Sequence, residues 1–177
     1  MSLKSNFELL ADYNQYMNKG IYKAASQLSS LELAENRGAF FGSIIATLNH
    51  ILVADTIWLK RFSEHSSKFK SLSYVRSLGA PKSLDMILYN DINELLISRG
   101  RMDDTIQAFS LELTDKVLAS PLSYSNIKGE PFTKNLGYLT QHFFNHQTHH
   151  RGQVSTLLNQ AGLSIGTTDL LLSIKEV

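Results

Sequence analysis

Proline occurs at only three positions in this chain, 81, 121 and 131. The long intervals around them are therefore free of the residue that most strongly stops a helix. Four of these intervals carry apolar side chains every three or four residues, the repeat of an amphipathic helix. The first runs from about Leu3 to Leu28, with Phe7, Leu10, Tyr13, Met17, Ile21, Ala24 and Leu28 on its stripe. Gly20 lies inside it and predicts a bend. The second, about Ala39 to Phe62, carries Phe41, Ile44, Ile45, Leu48, Leu52, Ile57 and Leu59. The third, about Leu84 to Leu113, carries Leu88, Ile92, Leu95, Leu96, Met102, Ile106 and Phe109, with Ser83 as its expected N-cap and Asp85 in its first turn. Gly100 marks an expected kink there. The fourth runs from about Asn135 to Asn159, and Ala161-Gly162 supplies its stop.

Between the third and fourth stretches the pattern changes. Leu122 to Lys134 alternates and turns (Leu-Ser-Tyr-Ser-Asn, Ile-Lys-Gly-Glu, Pro-Phe-Thr), which predicts a small hairpin or ordered loop. Four amphipathic helices with little strand signal predict an all-α chain, a four-helix bundle with a short β-hairpin before the last long helix. The linkers of about ten to twenty residues exceed those of simple up-down neighbours, so a crossover connection is expected. At 177 residues, 43% of them apolar, residues 1–177 read as one domain.

The same sequence narrows the functional classes. Seventeen basic and sixteen acidic residues leave a formal charge of +1, so no bulk field points to nucleic acid or an anionic membrane. No cysteine is present, which excludes thiolate ligands, Fe–S clusters and a cysteine nucleophile and is compatible with a cytoplasmic setting. The first thirty residues lack a basic start followed by an apolar run, so no signal peptide is expected. No stretch approaches the length of a membrane span.

Four of the six histidines, His142, His146, His149 and His150, fall within the fourth helical stretch. His146 and His150 are four apart and stack on one face, close enough to share a metal ion. His149 lies about 60° off that line and is a weaker ligand. His142, one turn earlier, is a fourth ligand, an outer group or a rim residue. The third ligand is His50, within the apolar run Leu48-Asn-His50-Ile-Leu-Val-Ala of the second stretch. The competing readings are a hydrogen-bonded core histidine for His50 and a solvated polar face for the cluster. What favours the site is the conjunction: three neutral imidazoles from two helices leave coordination positions open, which suits catalysis or ligand binding. His65 falls in the polar Ser63–Lys82 connector and is expected to be exposed. Asp55 is either an outer acceptor for an imidazole or a surface ion-pair partner, and Trp58 is read as core. Gly152 is expected to allow close helix packing, with Arg151 and Gln153 orienting ligands or capping.

Several alternatives lack their residues. His146-Gln-Thr-His149-His150 has no glutamate of the His-Glu-x-x-His kind, no Glu-x-x-His supports a di-iron bundle, and no Gly-x-Ser-x-Gly elbow is present.

Thr47-Leu-Asn-His50-Ile-Leu-Val-Ala-Asp55 followed by Trp58, together with Asn145-His146-Gln-Thr-His149-His150-Arg151-Gly152-Gln153, resembles the DinB/YfiT-like family of metal-dependent enzymes. Ala161-Gly162-Leu163 and Thr168-Asp169-Leu170 look like that family's closing segment. The resemblance implies a bundle with a crossover, a homodimer, and a divalent metal on His50, His146 and His150. Zinc or nickel comes first, with iron or manganese as alternatives. It also implies a small-molecule substrate, for some relatives a low-molecular-weight thiol such as bacillithiol or mycothiol, and for others isomerase or hydrolase chemistry. A metal-binding protein without turnover is the competing class. Catalytic residues are not assigned.

Overall fold

The computed structural model describes residues 2–176. Four long helices dominate: α1 (Leu3–Ala25), α3 (Ile44–Ser63), α5 (Ile92–Glu112) and α7 (Leu136–Gln160). Shorter elements fill the links: α2 (Ser30–Ala34), α4 (Ser73–Ser77), α6 (Asp115–Leu118), strands β1 (Pro121–Ser125) and β2 (Pro131–Asn135), and single 3₁₀ turns at Lys70–Leu72 and Leu170–Ser173. α1 packs against α5 and α7, and α3 packs against α7 and α5. The α1-to-α3 and α5-to-α7 connections therefore cross the bundle's diagonals, as the long linkers predict. β1 and β2 form the antiparallel hairpin expected from the alternating segment, with Leu122 opposite Lys134 and Tyr124 opposite Phe132. No described helix is long and apolar enough to cross a membrane.

The helix boundaries have local causes. The Ser2 hydroxyl accepts from the Ser5 amide in a reciprocal capping box, and Asn135 caps α7 through the Tyr138 amide. α3 begins five residues later than its apolar stripe suggests. Gly42 takes a positive φ of 79°, and Ser43 then caps the helix through the Ala46 amide. Ala39–Ser43 is thus a turn, and Phe41 sits in that loop instead of on the helix. α5 begins at Ile92, with Asp91 accepting from the amides of Asn93 and Glu94. The expected start at Ser83 is wrong because the segment after it is held elsewhere. The Asn49 carboxamide accepts from the Leu88 and Tyr89 amides and donates to the Tyr89 carbonyl. These bonds pin 84–91 along α3 in a non-helical path.

Neither expected helix distortion is observed. α1 and α5 each run unbroken through Gly20 and Gly100. Gly20 serves a close approach instead: a Cβ there would lie 3.0 Å from the Ile165 carbonyl oxygen. The tail after α7 lies back across α1 at that point, where the Tyr13 hydroxyl donates to the Thr168 carbonyl.

Buried apolar side chains form one continuous cluster, including the aromatic set Phe62, Phe109 and Phe143. Beside it lies a buried polar network. Asp55 on α3 accepts from Arg99 on α5 at 2.6 Å and from Gln147 on α7 at 2.9 Å. Arg99 also pairs with Asp103 at 3.0 Å, and Asp103 accepts from Asn14 and Asn18 of α1. Arg151 on α7 donates to the Asn14 side-chain oxygen Oδ1. All four long helices contribute. Burial opposes the charge on Arg99, but Asp103 and Asp55 outweigh it and hold the guanidinium above its usual range. Arg99→Met should therefore cost about 3–5 kcal/mol in urea unfolding, because two carboxylates lose their cation. Adding Asp55→Asn and Asp103→Asn should recover part of the loss. A cost below about 1 kcal/mol for Arg99→Met alone would contradict this role.

Candidate metal centre

Two helical stripes converge to make the site. On α3, His50, Ala54, Ile57, Trp58 and Arg61 recur at helical spacing along one face. On α7, His142, His146 and His150 do the same. Where the stripes meet, His50 Nε2 lies 3.3 Å from His146 Nε2 and 3.2 Å from His150 Nε2. One nitrogen of each of the three rings lies within 4.8 Å of the others, so the cluster can hold a metal ion. His50 and His150 are buried and His146 is half-buried.

The protons on these rings are fixed by their outer partners. His50 Nδ1 is 2.7 Å from the Leu84 carbonyl oxygen, which can only accept, so Nδ1 carries the hydrogen. His150 Nδ1 is likewise 2.7 Å from Gln153 Oε1 and donates to it. In the neutral rings both Nε2 atoms then present lone pairs to the centre. Burial first, and the neighbouring His150 and His50 next, push His146 down to about 3. Burial also lowers His50 and His150, against the pull of their outer hydrogen bonds. Neutral imidazoles with converging lone pairs repel one another until a proton or cation sits among them, and this is the protonation state that a metal requires.

Phe41 closes one side. Its ring stacks on His50 at 3.9 Å and meets His150 edge-on at 5.6 Å. Beside the cluster a cavity of about 290 Å³ opens, lined by His50, Trp58 and Arg61 from α3 and by His142 and His146 from α7. The hairpin turn contributes Asn126 and Ile127, and Leu84 also lines the space.

The three histidines expected to meet do so. His142 faces the cavity with its ring 6.1 Å from that of His146, outside the three-nitrogen cluster, and it packs edge-on against Trp58. Burial and the nearby Lys134 and Arg61 lower its pKa. His149 is exposed beside Gln153. Trp58 is half-buried in the cavity wall instead of in the core. Asp55 touches no imidazole and is no surface residue: it is 1% exposed in the Arg99 network, and a backbone carbonyl takes the acceptor role beside His50. His65 is buried, not exposed: the Phe69 ring stacks on it, and Ser120 Oγ, in the link between α6 and β1, lies 2.9 Å from its Nε2. Gly152 makes no close approach, since a Cβ there would meet nothing within 4 Å. Gln153 does orient a site histidine, whereas Arg151 turns inward to Asn14 and Thr148.

Phe41, Leu84 and Arg61 are absent from the residues singled out by sequence. Only Arg61 had a readable signal, as the continuation of the His50–Ala54–Trp58 stripe. The contacts of Phe41 and Leu84 come from loops whose paths have no periodicity to follow.

The chain is 26% identical to Protein DinB of Bacillus subtilis (strain 168) over 160 residues, covering 90% of this chain and 88% of that protein. Its fold matches the crystal structure of a DinB-like protein from Bacillus cereus ATCC 10987 with a TM-score of 0.57 and 20% sequence identity, over 86% of this chain and 91% of the other. The family model described as DinB family matches residues 1–176, and the chain belongs to the DinB family.

Proposed function

We propose that His50, His146 and His150 bind one divalent metal ion and that the protein is a metal-dependent enzyme acting on a small molecule held in the adjoining cavity. The spacing of the nitrogens carries this reading. Two imidazole nitrogens on a tetrahedral zinc, each at about 2.0–2.1 Å, lie about 3.3 Å apart. His50 Nε2 lies 3.3 Å from His146 Nε2 and 3.2 Å from His150 Nε2, and the third pair of ring nitrogens lies within 4.8 Å. An all-imidazole set with no carboxylate favours zinc or nickel over manganese.

Three protein ligands leave a position open, and the 290 Å³ cavity beside His50 and His146 is where a substrate would reach it. This favours an enzyme over a protein that encloses its metal without turnover. A bound divalent cation would supply a Lewis acid that lowers the pKa of a thiol or water brought to it. The chain's own groups do the rest. Leu84 and Gln153 hold the rings in the required tautomer, and Phe41 blocks approach from behind. Ala54, Ile57 and Trp58 give the cavity an apolar wall that excludes water from part of the substrate. Because the chain has no cysteine, a thiol would enter as cosubstrate, and a low-molecular-weight thiol is the first candidate. Water in its place would make the protein a hydrolase.

His146→Ala and His150→Ala should each abolish stoichiometric metal binding in elemental analysis while circular dichroism retains the helical signal. Unchanged metal content in both variants would sink the assignment. In cobalt-substituted protein, a low-molecular-weight thiol should alter the visible spectrum through a new sulfur ligand. A spectrum that no thiol changes would shift the reading to hydrolysis.

A further inference from the structure

Arg61 stands on the wall of the histidine cavity and also lines a second cavity of about 330 Å³ next to it. Its guanidinium carbon lies 4.6 Å over the Trp58 ring and 4.9 Å over the Tyr124 ring. These cation–π contacts tie the hairpin to α3. Among the described residues no hydrogen bond or carboxylate pairs with the Arg61 guanidinium, although the residue is half-buried. The second cavity adds Lys60 and Arg76, whose side chains donate to backbone carbonyls and have no acidic partner among the described residues. Glu64 is the one acid among that cavity's described lining residues, and it pairs with none of the three cations.

A path of rings joins this cation to the histidine cluster. Trp58, stacked on Arg61, meets His142 at 5.0 Å, and His142 faces His146 at 6.1 Å. One end of the cavity thus offers the imidazole centre and the other a positive edge, with an aromatic wall between. Two aromatic rings hold the guanidinium at the rim of the cavity, and a planar carboxylate can take two parallel hydrogen bonds from such a group.

We propose that the substrate of this site is a small carboxylate whose anionic end is bound by Arg61 while its reacting end faces the three histidines. The assignment of the reacting end rests on the metal-enzyme reading above, but the carboxylate site itself does not require a metal. The chain's single tryptophan, Trp58, stacks on Arg61 and reports binding directly through its fluorescence. Phenylacetate and phenylacetamide are matched in shape and differ in charge. Titrated into the full-length protein in mildly alkaline buffer, where the site imidazoles are neutral, phenylacetate should bind about tenfold tighter than the amide, as expected for a charged hydrogen-bonded pair. The preference should persist in His146→Ala and disappear in Arg61→Gln. Equal affinity for the two probes, no binding of phenylacetate, or a preference that survives Arg61→Gln would each overturn the proposal. Failure of the metal reading shows separately, as unchanged metal content in both His146→Ala and His150→Ala beside an intact, Arg61-dependent carboxylate preference.

Discussion

The buried charges at the centre of the bundle govern where its histidines point. Arg99 joins Asp55 and Asp103, and the network reaches α1 through Asn14 and Asn18 and α7 through Gln147 and Arg151. Such a network is no guaranteed source of stability, because desolvating its ions offsets much of their attraction. Its consequence is geometric. Gln147 and Arg151 directly follow His146 and His150, and neighbouring helical residues are turned about 100° from each other. Holding the first pair in the core fixes the rotation of α7, and with it the direction of the two imidazoles. Asp55 does the same for α3, one and a half turns beyond His50.

Once the helices are set, loops complete the site. Asn49 pins the 84–91 segment against α3, and that segment brings the Leu84 carbonyl to His50. The turn before α3 folds Phe41 over the same ring. The hairpin supplies Tyr124 beside Arg61 and Ile127 at the cavity wall. The result is asymmetric: an aromatic ring covers part of the imidazole cluster, and a lined cavity opens beside it. A polar fixed frame with one open face is what binding and activating a small molecule requires.

Much of this was legible in the chain. The four long helices and the hairpin follow from periodicity, the crossovers from linker length, and the pairing of His146 with His150 from the i, i+4 spacing on α7. His50 as their partner rests on the conjunction of three histidines and on the family resemblance. Three of the errors share a cause, a side chain or backbone group recruited by a distant partner, and Phe41 is the local exception. The apolar stripe running from Leu84 looked helical, yet Asn49 holds its backbone in a non-helical path. Phe41 matched the α3 stripe but belongs to a glycine-stopped turn. Asp55 sits close to His50 in sequence, but its partner Arg99 is forty-four residues away. His65 lies in a serine- and lysine-rich connector and is nonetheless covered by chain more than fifty residues downstream. None of these partners is encoded locally.

The central claim is that three imidazoles, held neutral and convergent, form one metal centre with an accessible position. X-ray absorption on the zinc-loaded protein tests it most directly. Three imidazole nitrogens at about 2.0–2.1 Å, with a further light scatterer replaced when a small ligand is added, is the expected result. A shell containing carboxylate oxygens, fewer than three imidazoles, or a first shell indifferent to added ligand would contradict it.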